Sequence, residues 1–165
     1  MKRRKTKNQI RRLERWLVGE IRTLLISHAR QDASGQADSA CNICTVLTSL
    51  LSLYLELDSS WPYKERWLDG VSDGHFSRPR PDAIRVRGKM TWGLSEDVGG
   101  SQWAEPFEAI VRFSKNRRRI LAYTLKFGND EPLSSKLIES GFYNILASEE
   151  DAEGFNGEYS YQFSR

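Results

Sequence analysis

The chain is poor in the residues that most often announce chemistry. Its 165 residues include two Cys, two His, two Met and five Pro. A tetrahedral zinc site takes four ligands of Cys or His type. One site would consume His28, Cys41, Cys44 and His75, whose order and spacing match no zinc pattern. There is no Gly-x-x-x-x-Gly-Lys loop and no Gly-x-Gly-x-x-Gly, so the familiar phosphate-cradling loops have no support. There is no Gly-x-Ser-x-Gly elbow, and neither Cys has a His partner identifiable in the sequence. No apolar run reaches the roughly 20 residues that span a bilayer. The longest, Ile43 to Leu57, is interrupted by Thr45, Thr48, Ser49, Ser52 and Glu56. These shortages argue against a cofactor, a metal site or a membrane partner.

Acidic residues are scarce in one place. The first thirty residues hold only Glu14 and Glu20 against Lys2, Arg3, Arg4, Lys5, Lys7, Arg11, Arg12, Arg15, Arg22 and Arg30. That segment carries +8, the whole chain +3, and residues 31–165 therefore −5. Such asymmetry reports on partners more than on fold, and here it favours an anionic surface. The same charges interrupt the stretch that a secretory leader would need to keep apolar, and two Cys without an export signal read as reduced thiols. The expected location is the cytoplasm.

What remains is ample core material. Hydrophobic residues make up 39% and charged residues 28%, a balance that suits a folded globular chain rather than a disordered one. A length of 165 fits one domain, 1–165, preceded by a basic arm over residues 1–7 that is expected to be poorly ordered. Ile10, Leu13, Leu17, Ile21, Leu24 and His28 recur every three or four residues, predicting an amphipathic helix over 8–29. Gln31 to Asp38 reads as a polar loop, with Asp38 or Ser39 capping a second helix over 39–57. That helix is apolar on most faces, which places it between the first helix and a sheet. Ser59, Ser60 and Pro62 offer the start of a short third helix closed by Gly70, and residues 70–81 read as loop.

The period then changes to two. Ile84, Val86, Gly88, Met90 and Trp92 alternate with Arg85, Arg87, Lys89 and Thr91, the pattern of a half-buried strand. Similar alternation gives strands over 82–92, 106–114, 118–127, 142–147 and 155–163, with a short helix over 133–140. Helices first and hairpin-linked strands afterwards predict an α+β fold, with the helical pair on one face of a mainly antiparallel sheet.

Each candidate site has a plain alternative. Cys41 and Cys44 have redox-motif spacing at what reads as a helix start, yet a buried apolar helix also accommodates small thiols. Asp73, His75, Glu96, Asp97 and Glu105 form the loop set from which an enzyme site would be built, though Asp-Gly is equally a turn signal. The wet parity of the strands has more substance. It gathers Arg85, Arg87, Lys89, Arg112, Arg118 and Lys126 on one sheet face, with Arg117 at the hairpin, and suits an acidic protein partner. The alternative is a nucleic-acid partner held by Lys2, Arg3, Arg4, Lys5, Lys7, Arg11, Arg12 and Arg15.

Gln102-Trp103-Ala104-Glu105-Pro106-Phe107 and Phe127-Gly128-Asn129-Asp130 resemble patterns in small uncharacterised bacterial proteins, a likeness that implies no activity. Pro81-Asp82 resembles the opening of some metal-dependent nuclease cores, but the acidic-x-Lys element that should follow is missing. The overall plan is similar to that of some immunity proteins, which neutralise a toxin by binding it. The expected function is therefore a non-enzymatic protein-binding domain, an inhibitor or immunity-type protein. Nucleic-acid binding is the first alternative and an unrecognised enzyme the second.

Overall fold

Leu17, Ile21, Leu24 and Leu25 sit on one side of a 28-residue helix, and their burial fixes which side faces inward. The computed structural model describes residues 2–55, 66–94 and 102–139. In it, helix α1 spans Lys2–Ala29 and α2 spans Ala33–Leu55. Strands follow at β1 (Arg66–Arg80), β2 (Ala83–Leu94), β3 (Gln102–Phe113), β4 (Ile120–Phe127) and β5 (Leu133–Ser134), and then a short helix, α3 (Ser135–Glu139). The sheet is antiparallel, with its strands in chain order from β1 to β5. Both long helices lie on one face, so the α+β architecture follows the predicted plan.

The helical pair is joined more tightly than the polar composition of residues 31–38 suggests. The Asp32 N–H donates to the Ser27 carbonyl at 2.9 Å and the Gln31 N–H to that of His28 at 3.1 Å. Gln31 adopts φ 56°. This is the paired hydrogen-bond pattern of a Schellman ending, with Gln where glycine usually stands. Asp32 then accepts from the Gly35 N–H at 3.0 Å and so caps α2. The cap is therefore Asp32, not Asp38 or Ser39. The expected loop over 31–38 is mostly helix, because the tight ending of α1 and the Asp32 cap offset the weak helix propensity of Ser34 and Gly35.

α2 packs between α1 and the β1–β2 side of the sheet. Ile43, Val46, Leu47, Leu50 and Leu51 are all but inaccessible. Burying one such side chain is worth about 1.5–3 kcal/mol. From the sheet, Ile84, Val86, Met90, Phe107, Ala109, Val111 and Leu125 meet them on the expected parity.

β1 corrects the sequence reading most. Residues 70–81 are not a loop, and no helix closes at Gly70, because Arg66–Arg80 pairs with β2. Its register slips between Leu68 and Gly70, between Ser72 and His75, and between Ser77 and Arg80, so no clean alternation is written in the sequence. Glycine lets it approach α2. A Cβ on Gly74 would collide with the Ala37 carbonyl oxygen and lie 2.7 Å from Cys41 Sγ, and one on Gly88 would lie 2.8 Å from Val71 Cγ1.

Other corrections are smaller. The helix of α1 begins at Lys2, six residues before its expected start at residue 8. β3 starts four residues earlier than expected and β4 two residues later. Leu121 is 47% exposed, because a bulge opposite Arg112 and Phe113 turns Ile120 inward in its place. The helix expected over 133–140 is β5 followed by α3. Strands predicted over 142–147 and 155–163 lie outside the described residues, as do Glu96 and Asp97. Among the described residues no helix is long and apolar enough to cross a membrane.

Candidate functional site

Two cationic surfaces emerge. The first is the sheet face turned away from the helices. Pairing aligns His75, Arg87, Glu108 and Lys126 as one row across β1, β2, β3 and β4. The row beside it runs Ser77, Arg85, Ile110, Thr124 and Ser134. Lys89 stands opposite Pro106, and Arg112 opposite Ala83 and Ala122. Among the described residues the face thus carries Arg85, Arg87, Lys89, Arg112 and Lys126 against two carboxylates, Glu108 and Asp69, the latter accepting from Gln102 Nε2 at 2.8 Å.

Glu108 is shared. Its Oε1 lies 3.2 Å from Arg85 Nε and its Oε2 lies 3.3 Å from Arg87 Nε. The Arg85 contact is an ion pair without hydrogen-bond alignment, since that Nε is buried and has no hydrogen-bond partner. One carboxylate orients two guanidiniums, and among the described residues Lys89, Lys126 and Arg112 have no ion-pair partner. A hollow of about 440 Å3 lies over this row, lined by His75, Arg87, Lys89 and Lys126 and also by the carboxylates of Asp73, Glu105 and Glu108. Glu105 itself is engaged, accepting from Trp92 Nε1 at 2.7 Å.

Arg118 does not belong to this face, contrary to its sequence parity, because β4 begins only at Ile120. Arg117, Arg118 and Arg119 occupy the β3–β4 turn. The Arg117 N–H donates to the Ser114 carbonyl at 2.8 Å, and Arg117 itself is left-handed at φ 58°. Ser114 Oγ accepts from the Arg118 and Arg119 N–H groups at 3.2 and 3.1 Å, and Asn116 Oδ1 accepts from that of Arg118 at 3.1 Å. Two polar side chains therefore fix the backbone from which the guanidiniums project.

That turn faces α1 and forms the second surface. Arg11, Arg15, Arg118 and Arg119 line a groove of about 440 Å3 together with Glu14, Val18 and Ile120. Arg11 and Arg15 come from the basic helix, and Arg118 and Arg119 from the hairpin roughly a hundred residues later. Sequence reasoning assigned these groups to different partners and did not single out Arg119 or Glu14. The spacing of Arg11 and Arg15 by one helical turn was visible, but their meeting with the hairpin is tertiary and leaves no local trace.

Behind the groove lies a smaller cavity of about 130 Å3 that shares Glu14 and Ile120 and also meets Tyr123 and Glu139. Glu139 hydrogen-bonds with Tyr54. Desolvation raises the Glu14 and Glu139 carboxyls above the ordinary carboxylate range, and the Glu14 charge raises Glu139 further. Desolvation also raises both phenols. The Tyr123 hydroxyl is buried and has no hydrogen-bond partner among the described residues.

The remaining candidates are placed structurally. Cys41 and Cys44 sit more than two turns inside α2, not at its start, and both are free thiols. Burial pushes the Cys44 thiol up to about 12, and desolvation raises that of Cys41 despite a hydrogen bond from the Gly74 backbone. A raised pKa is the reverse of what a reactive thiol needs. His28 stacks edge-on against Phe76 with ring centroids 5.1 Å apart. No three His, Cys, Asp or Glu among the described residues are grouped as metal ligands. Asp73, at φ 55°, belongs to the β1 irregularity before His75. Comparison with protein-family models, with curated proteins and with solved structures finds no match to this chain.

Proposed function

We propose that this protein is a non-enzymatic protein-binding domain, of inhibitor or immunity type, that works in the cytoplasm and holds an acidic partner against the outer face of its sheet. The observation that supports this reading is the excess, among the described residues, of five cations over two carboxylates on a face that no described element covers, with a hollow at its centre. Paired strands hold the cations at fixed spacing, so an acidic surface meets a rigid pattern rather than mobile loops. Complementary charge of this kind speeds encounter and sets register. Lys89 and Lys126 carry the attraction, because among the described residues neither has an ion pair such as Arg85 and Arg87 make with Glu108.

The test is affinity capture with the full chain, followed by binding of each recovered partner to Lys89→Glu/Lys126→Glu. An acidic partner that loses at least tenfold in affinity supports the reading. Failure to recover any partner, or a partner indifferent to both charge reversals, overturns it.

A second reading, nucleic-acid binding, is favoured by a separate observation: the basic N-terminal segment is helical and its Arg11 and Arg15 face Arg118 and Arg119.

A further inference from the structure

The geometry points to the groove between α1 and the β3–β4 hairpin as a site for the phosphodiester backbone of a nucleic acid, an inference that rests on the second reading above and gives it a location.

The first argument is charge density. Four guanidiniums from two elements converge on one groove, and among the described residues Glu14 is the only carboxylate that lines it. Like charges are costly to hold together, so their convergence asks for an anion. Arginine suits phosphate in particular, because its planar fork donates two parallel hydrogen bonds to neighbouring oxygens.

The second argument is shape. Arg15, Arg11 and Lys7 follow one another at intervals of four residues along α1, so they occupy one helical face. At 1.5 Å per residue this line extends about 12 Å. An extended row of cations leading out of the groove matches a chain of phosphates better than one isolated anion. The opposite wall is fixed independently, since Ser114 and Asn116 hold the backbone that presents Arg118 and Arg119. The apolar side chains that line the groove, Val18 and Ile120, offer no hydrogen bonds. Contacts there go to the backbone and not to base edges, so binding is expected to be insensitive to sequence.

The experiment measures fluorescence anisotropy with the full chain and labelled 20-nucleotide probes of mixed sequence: single-stranded RNA, single-stranded DNA and duplex DNA. Contact with four to six phosphates predicts that log affinity falls against log salt with a slope of about −3 to −5. Arg118→Ala/Arg119→Ala should weaken binding at least tenfold at 50 mM salt and flatten the slope by about 2. The turn is held by Ser114 and Asn116, so this variant keeps its fold. Arg11→Ala/Arg15→Ala should do the same, and alanine preserves the helix. The ratio among the three probes identifies the nucleic acid. Absence of binding to every probe at 50 mM salt overturns both the inference and the second reading. Binding that both double variants leave intact overturns the groove alone. Displacement by polyglutamate at equal charge also overturns it, because an acidic protein would then serve as well.

Discussion

Single residues show where chemical identity and structural placement part company. Cys41-x-x-Cys44 has the spacing of a redox pair, yet its meaning depends on whether a helix dipole and solvent reach it. Two turns of helix that the sequence conceals move both thiols away from the α2 N-terminus, Cys41 to beneath Gly74 of β1 and Cys44 to beneath Gly88 of β2. With the Cys44 pKa near 12, the native protein at pH 8 should react with a thiol-disulfide reagent at Cys41 only, and slowly. Unfolding in guanidinium should expose two equivalents at once. Rapid titration of two thiols in the native state would show that the helix is misplaced. Arg118 makes the same point about charge. Its parity assigns it to the sheet, but the strand begins two residues later, so it serves the groove instead.

Secondary-structure elements were legible where one period persisted. The stripe of α1 and the alternation of β2 and β3 are local, repeated patterns, and burial follows them residue by residue. β1 was illegible for a physical reason. Three register slips reset its parity within fifteen residues, and Gly70, Gly74 and Pro79 are the usual marks of a loop. The helix–helix junction was hidden as well, because Gln31 takes a left-handed conformation that sequence associates with glycine. Gln31→Gly should therefore stabilise the protein by about 1 kcal/mol, by removing the steric cost of that conformation. Asp32→Ala should cost about 1 kcal/mol through loss of the α2 cap. Chemical denaturation of both variants checks the pair. Equal midpoints for the Gln31 variant and the unaltered chain would mean that the turn carries no strain.

At the scale of the whole molecule, the sheet face was predicted almost entirely, since five of its six expected cations, all but Arg118, occupy it. The groove was not, because it depends on how far α1 reaches across the sheet. The two cationic surfaces differ in side: one lies on the face away from the helices, and the other between a helix and a hairpin. At 0.15 M ionic strength a charge is screened within about 8 Å. Lys89→Glu/Lys126→Glu should therefore change nucleic-acid affinity less than threefold at that salt, while Arg118→Ala/Arg119→Ala should leave capture of the acidic partner unchanged. Parallel losses in both assays would mean that a single electrostatic field, rather than two sites, governs binding.

The slips along β1 also bear on how copies of this protein meet. Strand-by-strand polymerisation needs two free rims that can each accept another copy in continuous register. The outer rim at β1 offers broken spacing, exposed Asp69 and Asp73, and a proline that cannot donate. A chain of molecules joined rim to rim has to pass through that strand at every second junction at least, so growth into fibrils stops there, whatever the opposite rim allows.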